Sequence, residues 1–412
     1  MSVPSLSARS SLESLNAGSS VESLRCSSPA LSDISVPDTL PPAVSGPMVW
    51  EGSELKDYVV HFTPSEIEAI EAAVLSFRLS GSPIECLDRS NFPLPPFLAS
   101  KLAAVSKEAH RGCGIVVLRG LGASGVHVQN DGNDQVARFN DKEATIAFAG
   151  ISAHVCPLRA TDSYANQTLS HVWDATQVKA PAGAEGIGLA GSKVNVAMDF
   201  HSDRFSGDVL ALHVRNDGGS GCGGEQYVAS FWRIYNALLE TEPEVLETMA
   251  SADWPFELKQ KDSAPYLELG PTLFFSKGKP MVQLVKAPLL GTPHIPREPN
   301  MPALTDKQMH ALEAVESLAR QFSTKLDRQQ GDIQFINNLS IMHARAAYHG
   351  TNSKPSTRHL LRMFLRDPEN AWEKPASWLH KFDDPFTPGR PQNIPIRDTD
   401  PHRGISGRDS HG

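Results

Sequence analysis

Apolar positions recur at helical spacing in the first third of the chain. Ile67, Ile70, Ala73, Val74 and Phe77 form one stripe, opened by Thr63-Pro64-Ser65-Glu66: a capping residue, proline at the first helical position, then an acid. A second helix fits Pro96 to His110 and leads into Gly114–Leu118, a short apolar strand closed by Arg119-Gly120. A third helix is expected from Asp134 to Phe148. From about residue 190 the pattern shortens into β-rich runs bounded by Gly, Asp, Asn and Pro. They cover Lys193–Phe200, Asp208–Val214, Leu273–Ser276, Met281–Val285, Ile333–Asn337 and His359–Leu365. Two helical stretches interrupt them. One runs from about Phe231 to Leu239 and continues over Pro243–Met249; the other is Thr305–Phe322, with Leu312, Val315, Leu318 and Ala319 on one face. Many short strands with inserted helices predict an α+β, mainly β fold: a sandwich or barrel-like core under helical cover.

The ends of the chain lack such patterning. Residues 1–45 are rich in Ser and Pro and nearly free of aromatics, so they bury too little surface to offset their ordering entropy and read as a disordered tail. The echo of Ser11-Leu12-Glu13-Ser14-Leu15 in Ser20-Val21-Glu22-Ser23-Leu24 is low complexity. The folded domain is expected over 46–385, with order beginning near Trp50, and 386–412 as an irregular C-terminal tail.

Charge and composition remove several functions. The formal net charge is −9 over 412 residues and the basic residues are scattered, which excludes nucleic acid and an anionic membrane surface as expected partners. No apolar run is long enough to cross a bilayer, and the N-terminus lacks the apolar core of a secretory signal. Arg9 and Arg25 in a Ser-rich stretch leave a transit peptide open, but Glu13, Glu22 and Asp33 oppose it. Five cysteines without a C-x-x-C pair point to a reduced, cytoplasmic protein.

The candidate chemistry starts at His201-Ser202-Asp203. In extended backbone, side chains two apart share a face, so His201 and Asp203 can grip one ion together. Alone the motif is weak, and a satisfied histidine is its plain reading. Far downstream, the turn and strand Gly331–Asn338 precede His343-Ala344-Arg345, and Arg358 and Arg362 follow on one apolar strand. A buried arginine needs an anion, and its planar fork suits a carboxylate, whether of a ligand or of the protein itself. Two histidines and a carboxylate occupy one face of an octahedral ion and leave three positions open, as in non-haem iron(II) oxygenases. A zinc hydrolase uses the same residue types, so they do not fix the metal. Gly218–Gly224 has the look of a phosphate cradle but lacks the Lys-Ser/Thr ending; it reads as a lid loop with Cys222 exposed. Arg345 reads as a contact beside His343 or at the surface. His213, His349 and His359 read as ordinary surface or core histidines, and Trp254 as a packing anchor.

Taken in order, these segments resemble the taurine dioxygenase/TfdA family of iron(II)- and 2-oxoglutarate-dependent oxygenases. The resemblance runs over roughly residues 110–380. It is carried by His201-x-Asp203 with Gly207–Leu212, Gly223-Gly224-Glu225-Gln226, Ser230, Ile234-Tyr235-Asn236, Ala252–Phe256, Gly331–Asn338, His343-Ala344-Arg345, Arg358–Arg362 and Ala371-Trp372. It implies a double-stranded β-helix (jelly-roll) core with inserted and flanking helices. It implies Fe(II) held by His201, Asp203 and His343, with 2-oxoglutarate as co-substrate and O₂ as oxidant. Arg362 matches the arginine that pairs with the distal carboxylate of 2-oxoglutarate, and Arg358 a second arginine for the co-substrate or an acidic substrate. Gln226 stands where relatives place a hydroxyl residue. The His343-to-Arg362 spacing is longer than in the taurine enzyme, which puts a longer loop at His349–Ser356. The implied reaction converts 2-oxoglutarate to succinate and CO₂ while a C–H bond of a small acidic or amino-acid-like metabolite is hydroxylated, desaturated or cyclised. A zinc hydrolase and a non-catalytic binding protein on the same fold are the competing readings.

Overall fold

The computed structural model describes residues 39–122, 138–161, 166–180, 188–260, 263–351, 354–399 and 401–402. The Ser/Pro-rich expectation for 1–45 therefore falls almost wholly outside the described residues. Its last few are already docked: Val44 is held on both backbone polar groups by Asn236, and Leu40 and Val44 pack on the helical core.

Two sheets face each other. The larger contains, in spatial order, β1 (Val59–His61), β2 (Ile115–Arg119), β13 (Ile333–Asn337), β6 (Val209–Asn216), β15 (His359–Arg366) and β3 (Leu158–Arg159), with β4 (Ser170–Trp173) also on β15. β1 runs parallel to β2, and every other pair is antiparallel. The smaller sheet runs β12 (Thr324–Lys325), β7 (Gln226–Ser230), β14 (Ile341–Arg345), β5 (Met198–His201), all antiparallel. Antiparallel strands that cross between sheets out of chain order make a jelly roll.

The period-two alternation of each strand assigns its faces. On the larger sheet, Val116, Leu118, Val209, Ala211, Ile333, Phe335, Leu361, Met363 and Leu365 point outward. There they meet α1 (Pro64–Ser80), α2 (Pro96–Arg111) and α3 (Asp141–Val155). On the smaller sheet, Phe200, Ala229, Met342 and Ala344 point outward to α4 (Phe231–Thr241), α5 (Pro243–Ala250) and α7 (Asp306–Phe322). The hairpin of β8 (Trp254–Gln260) and β9 (Ser263–Gly270), the hairpin of β10 (Leu273–Ser276) and β11 (Lys279–Val282), and α6 (Ala287–Leu290) extend that second core. The short α8 (Leu379–Asp383) packs Phe382 on Phe274. What remains between the sheets is the opposite set of side chains: Leu210, Leu212, Leu360 and Arg362 from one, Gln226, His343 and Arg345 from the other.

Three sequence expectations need correction. α3 starts at Asp141, not Asp134, because Asn140 and Glu143 form a reciprocal capping box. Lys193–Phe200 is not one strand: a 3-10 turn occupies Gly191–Lys193 and pairing begins only at Met198. The strands β7, β8, β9 and β14, and the short β1, β3, β4 and β12, have no counterpart among the expected runs.

Candidate functional site

His201 and His343 are direct cross-strand partners on β5 and β14. Neighbouring strands bring such pairs close, and the two imidazole centroids lie 4.2 Å apart. Just past β5 the chain bends, and Asn338 holds the bend. Its side chain accepts from the Asp203 N–H at 2.9 Å and donates to the carbonyls of Asp203 (2.7 Å) and Gly207 (3.0 Å). The bend turns the Asp203 carboxylate to within 3.4 Å of His343 Nε2. One ligand atom from each of His201, Asp203 and His343 therefore lies within 4.8 Å of the others, all three side chains lying in the interior.

His201 Nδ1 donates to the Asp199 carbonyl at 2.8 Å, an acceptor-only partner that fixes the proton there and leaves Nε2 with its lone pair for a metal. Burial, and then the neighbouring His343, push the His201 pKa down to about 3, so the ring is neutral at working pH. A buried carboxylate beside two imidazoles is the donor set that a ferrous ion fits, with one face left open.

The next rung of the ladder pairs Arg345 with Gln226, two residues from the His343–Val228 rung. That is about 7 Å along the strand. Arg358 joins this end, 4% exposed, with its guanidinium 5.0 Å from the centre of the Tyr348 ring. Its Nε and Nη1 have no hydrogen-bond partner, and no carboxylate pairs with it among the described residues. Burial first, then Arg328 and Arg345, lower its pKa to about 9. Gln226 Oε1 also lacks a partner. Gly224 backs this guanidinium: at φ +76° it suits glycine, and an added Cβ would come 2.9 Å from Arg358 Nε. Arg362 lines the same pocket nearer the triad, where its charge acts on His201.

Several sequence-marked residues stand elsewhere. Cys222 is buried, not exposed, because the chain folds Gly223 into a bridge with Tyr348; only Gly219, Ser220 and Gly221 of that run are exposed. Arg345 is a strut whose Nη2 donates to the carbonyls of Val194 and Val196. His213 is core, against Phe148, and His359 stacks on His171. Trp254 is fully buried packing. Asn338, Tyr348 and Asp398 belong to the site's framework, and sequence reasoning assigned none of them a part. Asp398 pairs with buried Lys193 and accepts from Trp173 Nε1 at 3.0 Å, Pro395 accepts from His171 at 2.9 Å, and Asn393 bridges Gln167. Residues 393–398, without helix or strand, thus strap down the segment that carries Ser192 and Val194.

A model of the taurine catabolism dioxygenase TauD, TfdA family matches residues 79–364. The taurine hydroxylase-like protein SAT17 of Stachybotrys chartarum is 31% identical over 343 residues, covering 82% of this chain and 84% of its own. FR-33289 synthase of Streptomyces rubellomurinus is 24% identical over 347 residues, covering 81% and 93%. Among solved structures, asparagine oxygenase in complex with Fe(II), 2S,3S-3-hydroxyasparagine and succinate is similar with a TM-score of 0.53 at 15% identity, over 75% of this chain and 93% of that one. The non-heme iron oxygenase OrfP with Fe, succinate and (3S)-hydroxy-L-Arg gives 0.50 at 16%, over 75% and 94%. These two likenesses are of fold, and the fold is the jelly roll described above. No helix among the described residues is long and apolar enough to cross a membrane. The chain belongs to the taurine catabolism dioxygenase TauD, TfdA family and is an iron(II)- and 2-oxoglutarate-dependent oxygenase.

Proposed function

We propose that His201, Asp203 and His343 are the iron ligands, and that the enzyme hydroxylates a C–H bond of a small molecule with an acidic or amino-acid-like head. The observation that carries this is a three-ligand cluster facing, one ladder rung away, a buried guanidinium without a counter-ion. A buried charge left unpaired is costly, so the pocket is built for an anion from outside. The bound ferrous ion and 2-oxoglutarate together supply the oxidising power: one oxygen atom of O₂ goes to succinate as CO₂ leaves, and the other to the substrate.

The two arginines exchange the parts suggested by the resemblance. Arg358, with Gln226 at the far rung, suits the distal carboxylate of 2-oxoglutarate. Arg362, nearer the triad, suits the acidic head of the substrate. Leu210, Leu212 and Leu360 exclude water around the reacting groups. Hydroxylation is supported by the bound products named for the asparagine oxygenase and OrfP relatives, both hydroxy amino acids. The family match supports the oxygenase reading over a zinc hydrolase. We read residues 46–385 as the oxygenase domain and 386–412 as its C-terminal tail, in a cytoplasmic enzyme without nucleic-acid or membrane partners.

The test is succinate formation from 2-oxoglutarate under Fe(II) and O₂ across amino acids and other carboxylates, with metal analysis after anaerobic purification. Stimulation by an anionic compound is expected; tightly bound zinc with no succinate would overturn the reading.

A further inference from the structure

A second cavity, of ≈ 280 Å³, opens beside the first and shares His201 and Met198 with it. Its walls are two facing segments, one from Leu189 to His201 and the other from Val285 to His294. The lining is mostly apolar: Val196, Leu290 and Pro293 are exposed at it, and Leu189, Val194 and Val285 back it from the interior. Val196 and Leu290 are 46% and 45% exposed, an uncommon state for large apolar side chains gathered on one opening.

The charges at this mouth cancel locally. Lys286 pairs with Asp199 at 2.8 Å and Glu316 at 3.1 Å, and the other Asp199 oxygen meets Arg320 at 3.1 Å. The walls therefore offer a ligand little net charge and much carbon. A small, wholly polar metabolite would fill only the inner end, near Arg362, and leave this surface wet.

We infer that the substrate carries an apolar body of several carbons, seated between Val194, Val196 and Leu290, with its oxidisable carbon at the His201 end and its polar head toward Arg362. This inference rests on the oxygenase reading for its orientation, while the apolar cavity stands on its own walls. The cavity is near the lower end of small-molecule sites, so a medium chain or a compact ring fits it and a long lipid does not.

The probe is a series of N-acylglycines with acyl chains of two to ten carbons. They are titrated calorimetrically and without O₂ into the Fe(II)-loaded protein, with and without 2-oxoglutarate; 2-oxoglutarate itself is titrated separately. Binding tightens about two- to fourfold per added methylene until the cavity is full, then levels. Leu290→Asp and Val196→Asp, both at exposed positions that tolerate charge in the fold, each flatten that gain. Affinities independent of chain length in a protein that binds 2-oxoglutarate would overturn the apolar subsite and leave the oxygenase reading intact. A chain-length gain in a protein that binds no 2-oxoglutarate would do the reverse.

Discussion

The outer and inner faces of the two sheets are built from opposite materials. Outward, residues such as Phe335, Met363, Ala229 and Met342 join helices in two dry apolar cores. Inward, within the same strands and one residue away, stand Arg362, His343 and Gln226. The outer faces hold the fold together, as burial of apolar surface does. The inner face gathers the polar groups of the site, and Arg358, which lines the same pocket, is a buried guanidinium that no carboxylate meets among the described residues.

Substitutions on the two faces should therefore fail in different ways. The largest expected effect is from His343→Ala: iron binding is lost and kcat/KM falls at least about a thousandfold, while the urea midpoint of the metal-free protein stays near wild type. Phe335→Ala does the opposite, with a loss of about 3–5 kcal/mol in unfolding free energy. Collapse of the fold in His343→Ala would break the comparison.

Next is Arg358→Met. The KM for 2-oxoglutarate rises about a hundredfold, yet the melting temperature of the metal-free protein rises, because an uncompensated buried cation is replaced by carbon. A fall in that melting temperature would mean that Arg358 has a structural partner.

A smaller effect concerns pH. Burial lowers His213 to about 3 and His359 to about 4, against an ordinary value of 6.5. Unfolding restores the ordinary value, so the unfolded chain takes up protons first as pH falls. The stability they contribute is present above pH 6.5 and is lost as pH falls toward 4 and then 3. His213→Leu should flatten the pH dependence of the urea midpoint of the metal-free protein across that window; an unchanged slope would remove His213 from the account.

The smallest is Asp398→Asn. It loosens Lys193 and the wall beside Val194, so the KM of the organic substrate rises several-fold, by about 1 kcal/mol of lost interaction, and that of 2-oxoglutarate stays. A parallel rise in both would place the strap's influence deeper in the pocket.

The same two faces explain what the sequence reveals. α1, α2 and α7 are legible because each lays a stripe on an outer core, and Thr63 and Thr305 cap their helices in reciprocal boxes. β13 keeps its expected limits because Gly331-Asp332 and Asn338 bound it, and β10 because Gly270-Pro271 and Gly278 stand on either side. β7 and β14 are hidden: each has only five residues, and apolar Val228 and Ile341 share the inner face with Gln226, His343 and Arg345, which breaks the alternation. β8 is different, since Trp254, Phe256 and Leu258 alternate plainly and could have been found. His201, Asp203 and His343 are legible as residue types with spacing. Asn338 acts through three long-range backbone contacts and Tyr348 through its ring against Arg358, and Asp398 lies in a run with no periodicity, so no local pattern marks them.

Residues 393–398 leave the ribosome after the fifteen strands found among the described residues. Both sheets can pair before Asp398 reaches Lys193, and Ile394 of the same stretch then seats in the core beneath α1, α2 and α3. This stretch thus acts as a completion check: a protein halted just before it would have both sheets and the cluster of His201, Asp203 and His343 but an unbraced pocket wall, and would handle its co-substrate better than its substrate.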